Sequence, residues 1–188
     1  MVSLLAKQDV RRLMKERERD FIESAAVACE ADVIWEAVKS SPEFAEARNV
    51  LIYMDIPGEV PTRDFIEKWS SCKDFVLPLV VGDSLELRRY DPAHLVGGYR
   101  GIMEPSADSE PVRPEEVDLA LVPGVAFSST VPDAEFPSCV TLPCHRMGRG
   151  KGFYDRLLPG LKCRCFGIGF SFRWIPVIPL DPWDAPLK

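Results

Sequence analysis

No stretch of this chain is apolar for long enough to cross a bilayer. The longest apolar runs, such as Phe75 to Val81, fall well short of the roughly 20 residues a spanning helix needs. Met1 to Arg12 carries no long apolar core followed by a cleavage site, so no signal peptide is expected. Positive charge is not in excess either. The net charge is −6, which argues against a nucleic-acid partner. Histidine is scarce, with two in 188 residues, and none of the six cysteines forms a Cys-x-x-Cys pair. Zinc spacing and a dithiol motif are therefore both missing. Cys144-His145 reads as an ordinary thiol beside a histidine. A chain with 46% apolar residues needs no disulfide staples, so Cys29, Cys72, Cys139, Cys144, Cys163 and Cys165 are expected to be reduced in a cytoplasmic protein. No internal repeat and no convincing linker divides the chain, and one domain over 1–188 is expected.

Against this acidic background one basic stretch stands out. Arg146-Met147-Gly148-Arg149-Gly150-Lys151-Gly152-Phe153-Tyr154-Asp155-Arg156 alternates glycines with cations. Glycine lets the backbone take positive φ and approach a ligand closely. Arg149 and Lys151 supply charge and donors for phosphate oxygens. Phe153 to Leu158 reads as the start of a helix, whose free N–H groups would suit an anion, with Asp155 in its first turn. Lys151 is followed by glycine rather than Ser or Thr, so this is not a Walker A loop, and the dinucleotide spacing is absent too. The other reading is a basic surface turn whose glycines serve only tight geometry.

The remaining chain alternates helix and strand signals. Leu4 to Arg19 is a surface helix with Leu5, Val10, Leu13 and Met14 along one stripe and Lys7, Arg11 and Arg12 on one charged face. Phe21 to Lys39 reads as a further helix, broken at Ser41-Pro42, so helices occupy about 3–40. Val50 to Met54, Phe75 to Val81 and Val117 to Val122 are continuous apolar runs of strand length, as buried parallel strands require. Pro78 calls for a bulge or strand end. Thr62 is placed to cap a helix through Trp69. Ser84 to Tyr90 alternates as a half-exposed strand, and Arg164 to Phe170 reads as the last core strand. Asp91 to Glu116 and Ser128 to His145 look irregular. The pattern is α/β, with a mainly parallel sheet covered on both faces over 48–188. The 128–145 segment is expected to be a loop excursion.

Arg146 to Arg156 resembles the signature of the 5-formyltetrahydrofolate cyclo-ligase (methenyltetrahydrofolate synthetase) family over ten consecutive positions. Other segments agree. Lys7-Gln8-Asp9-Val10-Arg11 is similar to the family's N-terminal Lys-x-x-x-Arg, and Gly58-Glu59-Val60-Pro61-Thr62 to its Glu-Val-x-Thr turn. Gly101-Ile102-Met103-Glu104-Pro105, Pro123-Gly124-Val125-Ala126-Phe127 and Trp183-Asp184-Ala185-Pro186-Leu187 extend the match to nearly the whole chain.

The resemblance implies the three-layer α/β sandwich shared with ribose-5-phosphate isomerase and CoA transferases. It also implies ATP as co-substrate, Mg2+ as cofactor and a reduced folate as substrate, handled by a monomer with no membrane or nucleic-acid partner. It places ATP against Lys7, Arg11, Arg146, Met147, Gly148, Arg149, Gly150, Lys151, Gly152, Phe153 and Tyr154. Folate would meet Met54, Glu59, Tyr99, Arg149, Lys151 and Tyr154. Arg146, Arg149 and Lys151 would be catalytic, and Asp155 with Asp184 would hold the metal, Asp181 being the alternative to Asp184. Three positions depart from the family pattern: Leu79 replaces a common cation, Arg100 replaces an aromatic, and the segment 128–145 is longer than usual. The rival readings are a non-catalytic nucleotide- or folate-binding relative, and a sugar-phosphate or CoA-ester enzyme on the same fold.

Overall fold

The computed structural model describes residues 6–24, 26–98, 101–129 and 144–187. Helix α1 runs Lys7–Ile22 and α2 Ala26–Lys39. The sequence reading assigned Phe21 to the second helix; it belongs to the first. Its ring lies 4.9 Å from both Phe170 and Phe172, and that packing holds the last turn of α1 in place. Ser24 ends the helix by donating its N–H and its hydroxyl to the Phe21 carbonyl. Ser41-Pro42 ends α2 as expected and also opens α3 (Pro42–Glu46). The Ser41 hydroxyl accepts from Phe44 N, and proline occupies the first turn, where its missing N–H costs nothing.

Six strands form the main sheet: β1 (Asn49–Leu51), β2 (Asp74–Val81), β3 (Ser84–Arg89), β6 (Pro111–Val112), β7 (Leu119–Pro123) and β10 (Arg164–Ile168). Their spatial order is β10-β7-β1-β2-β3-β6. The first four are parallel, β3 runs antiparallel to β2, and β6 runs antiparallel to β3. Side chains alternate between faces. Val50, Phe75, Leu77, Leu119 and Leu121 pack with α2, α3 and α4 (Arg63–Trp69). Leu51, Val76, Ala120 and Val122 meet Leu157 and Leu158, from α5 (Phe153–Leu157) and the turn after it. This is a three-layer α/β sandwich, and burial on both faces is why these strands read as unbroken apolar runs.

Pro78 sits inside β2 without a bulge, opposite Leu87. Val76 O accepts from Ile52 N, so the nitrogen two residues on turns to the same side, where β1 has already ended at Leu51. No ladder bond is lost. Thr62 precedes α4 but its hydroxyl does not cap the helix. It donates to Asp55 Oδ1 instead (2.8 Å), and Thr62 N donates to the same oxygen (2.9 Å).

Both segments read as irregular contain strands. Within 91–116, β4 (Leu95–Gly97) and β5 (Met103–Pro105) form a two-stranded sheet, and β6 joins the main sheet. At the second, β8 (Ala126–Ser129) pairs with β9 (Cys144–Met147), Ser128 opposite His145. The proposed excursion thus begins and ends as paired strands; 130–143 lie outside the described residues. No helix among the described residues is long and apolar enough to cross a membrane.

Candidate active site

Strand β1 has β2 on one side and β7 on the other, so the chain leaves it in opposite directions. Ligands in open α/β sheets bind at such a point, beyond the carboxyl ends of the strands. A cleft of about 500 Å³ lies there. Tyr53, Met54 and Glu59 line it on the β1 side. Leu77, Pro78, Pro123 and Gly124 also line it, and Gly148 to Asp155 bring the glycine loop to it. A second hollow of about 780 Å³, beside α4, shares only Met54 with the cleft.

Strand β9 delivers the loop. Gly150 (φ 103°) and Gly152 (φ 66°) hold conformations that side-chain-bearing residues rarely adopt. Arg11 Nε donates to Gly148 O (3.1 Å), and its guanidinium lies 3.6 Å from where a Cβ on Gly150 would stand. From the other side Arg156 donates to Lys151 O (2.8 Å) and to Asp83 O. The backbone is therefore braced on both flanks, and the Lys151 side chain is left exposed. Its ammonium has no ion pair among the described residues. Helix α5 has only five residues, so its dipole contributes less than the sequence reading allowed. Arg149 and Lys151 carry the loop's capacity for anions.

Arg149 reaches across the cleft to Glu59, Nη2 to Oε1 at 3.2 Å. Burial pushes the Glu59 carboxyl above its ordinary range, and the nearby Arg149 opposes that shift. The loop carrying Glu59 is tied down by the Asp55–Thr62 bonds and by the Tyr53 hydroxyl, which donates to Val60 O (3.0 Å). Burial holds the Tyr53 phenol well above its ordinary range.

Arg146 is 4% exposed and donates Nη2 to Asp155 Oδ1 (2.9 Å), with its guanidinium 5.1 Å from the centre of the Tyr154 ring. Desolvation draws its pKa down, against the pull of Asp155 and Asp184, so both acids lie in the field of one cation. The Tyr154 hydroxyl and Arg146 Nε are buried without hydrogen-bond partners among the described residues. Burial also raises the Tyr154 phenol. Beside this cluster the Cys144 thiol is buried and pushed up to about 11, an unreactive core thiol.

Lys7 does not line the cleft. Its ammonium bonds to Asp181 (2.8 Å) and to Asp184, whose Oδ2 also accepts from Asp181 N (2.7 Å). The C-terminal segment runs back beside β9, where Leu187 N donates to Cys144 O (2.9 Å). The Met147 side chain packs with Val10, Met14 and Val125, which leaves only its backbone to the loop. Among the predicted residues the structure thus gathers Met54, Glu59, Arg146, Gly148, Arg149, Lys151, Gly152, Phe153, Tyr154 and Asp155 at the cleft. Tyr99 lies outside the described residues. Among the described residues no group of three or more His, Cys, Asp or Glu side chains is placed to hold a metal by itself. Arg173 is a residue the sequence reading missed. It is 1% exposed, set in the apolar run Phe172-Arg173-Trp174, and a lone cation between two aromatics was the available signal.

A glycine-rich basic loop facing a half-buried carboxylate at the carboxyl ends of parallel strands is the arrangement of an α/β enzyme, with cations placed to suit an anion. The comparisons with known proteins narrow this. The chain belongs to the 5-formyltetrahydrofolate cyclo-ligase family, whose model matches residues 4–188. It is 27% identical to 5-formyltetrahydrofolate cyclo-ligase of Escherichia coli, over 97% of this chain and 93% of that one. The Haemophilus influenzae enzyme of the same name is 29% identical over 77% of this chain and 75% of its own length. A solved structure of 5,10-methenyltetrahydrofolate synthetase from Aquifex aeolicus matches with a TM-score of 0.79 at 33% identity, covering 97% of this chain and 87% of that one. The fold is shared with a Mycoplasma pneumoniae 5,10-methenyltetrahydrofolate synthetase at a TM-score of 0.70 and 20% identity, over 98% and 96% of the two chains.

Proposed function

We propose that this chain closes 5-formyltetrahydrofolate to 5,10-methenyltetrahydrofolate, with ATP converted to ADP and phosphate. The reading is supported by the family and, within the molecule, by one observation above all. Arg149 on the glycine loop touches Glu59 on the opposite wall, so a site for phosphate and a site for an aminopyrimidine edge share one cleft. A carboxylate can accept two parallel hydrogen bonds from such an edge.

The chemistry needs both. A formamide carbonyl is a poor electrophile. Its oxygen attacks the γ-phosphorus of ATP, ADP leaves, and the oxygen becomes part of a phosphate leaving group. N10 then bonds to the formyl carbon, the C–O bond breaks, and phosphate departs while N10 loses its proton. Glu59 holds the pterin so that the formyl oxygen meets the phosphoryl group, which is catalysis by positioning. Arg149 and Lys151 stabilise the charge on the transferring group. Arg146, closed off behind Asp155, orients that carboxylate.

Magnesium takes one or two carboxylates together with phosphate oxygens and needs no cage made of protein alone. Carboxylates of this kind suit it: Asp155 lines the cleft, and Asp184, bonded to Lys7 beside the cleft, lies in the field of the same arginine. Those two residues would hold the ion, which neutralises phosphate charge when bound. Mixing the protein with ATP, magnesium and 5-formyltetrahydrofolate should raise the absorbance band of the methenyl product. ATP hydrolysis that does not depend on the folate, or none at all, overturns the reading.

A further inference from the structure

We propose that Arg173 is a positioning residue for folate binding, acting through the backbone that carries Glu59; the proposal rests on the reading that Glu59 meets the folate. Arg173 is all but sealed from water, where a guanidinium is costly unless it is paired, and both of its terminal nitrogens find acceptors. Nη1 donates to Val125 O (3.1 Å), on the turn after β7. Nη2 donates to Gly58 O (2.5 Å) and to Glu18 Oε2 (2.7 Å) on α1. One side chain thereby joins three segments remote in sequence, and two of them, at Glu59 and Val125, line the cleft.

The joint at Gly58 is specific. Gly58 has φ 87°, and a Cβ there would stand 2.3 Å from the Glu18 carboxylate carbon. The glutamate lies directly against the glycine backbone, where only hydrogen leaves room. Glu18, Arg173 and Gly58 thus form a clamp that fixes the peptide next to Glu59, and so the direction in which Glu59 meets Arg149. The cation also acts on Glu59 through the low-dielectric interior, favouring its charged form. Arg173 does not line the cleft, so it is not a catalytic residue.

The test measures binding of 5-formyltetrahydrofolate and of ATP by titration calorimetry across acidic to neutral pH, on the full chain. Arg173→Met keeps bulk and removes charge and donors. Folate affinity should fall about tenfold or more, the scale expected when a positioned group is misplaced by less than a bond length, while ATP affinity holds. The acid limb of folate binding should also move to higher pH, because Glu59 loses a cation that favours its carboxylate. Arg173→Lys should return the limb toward its original pH without restoring full affinity. A purely structural role predicts equal loss of both ligands and an unmoved limb, and that result overturns the proposal. If Arg173→Met does not accumulate as folded protein, Gly58→Ala carries the test. It displaces the clamp while leaving Arg173 intact, and must weaken folate alone. Glu59→Gln separates the two ideas. If it leaves folate binding unchanged, the assignment of Glu59 fails. If it weakens folate while Arg173→Met and Gly58→Ala do not, the role of Arg173 fails alone.

Discussion

Lys7 and Asp184 are bonded to each other, although the family resemblance assigns one to the nucleotide and the other to the metal. The pairing brings the C-terminal segment to the first helix, and Asp184 into the field of Arg146. If Asp155 and Asp184 serve one magnesium ion, Asp155→Asn and Asp184→Asn should each raise the magnesium needed for half-maximal rate. Together they should cost far less than the product of the single effects, since either change alone spoils the site. Additive losses at unchanged magnesium dependence would remove the shared ion.

Lys151 projects from a loop whose backbone is braced by Arg11 and Arg156, so its removal leaves the brace intact. Lys151→Ala should lower turnover by about ten- to a thousandfold, the scale of losing one preorganised electrostatic donor. Circular dichroism should be unchanged. Normal turnover would take Lys151 out of the mechanism.

Glu59 has its carboxyl raised by burial, so it gains a proton at higher pH than an exposed glutamate. Folate binding, which uses the carboxylate, should therefore weaken as pH falls through that raised value. Glu59→Gln should lower folate affinity, flatten this pH dependence and spare ATP. A pH profile identical in wild type and variant would assign the titration elsewhere.

Phe127 fills a pocket floored by glycines. Cβ atoms added at Gly124, Gly167 and Gly169 would stand 2.7, 2.7 and 2.6 Å from ring carbons. Gly169→Ala should destabilise the protein by about 1–3 kcal/mol, the usual cost of overpacking a core. Urea denaturation reads the loss, and adding Phe127→Leu should recover part of it. A double variant no better than the sum of the singles would show that the ring is not the obstacle.

Cys144 is buried and its thiol is held at about 11, while Cys29 and Cys72 are exposed. A thiol reagent near pH 8 should label the exposed pair first and Cys144 only on unfolding, as mass mapping can follow. Rapid labelling of Cys144 in the folded protein would contradict its burial.

Much of this was legible in the sequence, for physical reasons. Val50 to Met54 and Val117 to Val122 announced buried strands because both faces of the sheet are covered, although β1 stops at Leu51 and β7 begins only at Leu119. The glycine loop announced itself because alternating Gly with Arg and Lys has few purely structural uses. What stayed hidden depends on distant partners. Thr62 looked like a helix cap until Asp55 took its hydroxyl. The pairing of Leu95–Gly97 with Met103–Pro105 carries too little alternation to be seen in so few residues. Arg173 is bound by Glu18, 155 positions earlier, and nothing local marks that partnership.

The bond from Lys7 to Asp181 joins positions 174 apart. During synthesis the sheet from β1 to β7 can assemble before residues 181–184 have emerged from the ribosome, but α1 cannot gain that anchor until they have. A stalled or prematurely terminated chain ending before Arg164 would lack β10, Arg173 and both acids that hold Lys7. Such a fragment would carry the glycine loop and Glu59 without the contacts that brace the first helix and the clamp. Enzyme activity would therefore appear only once residues 164–184 are present, not in proportion to the length already made.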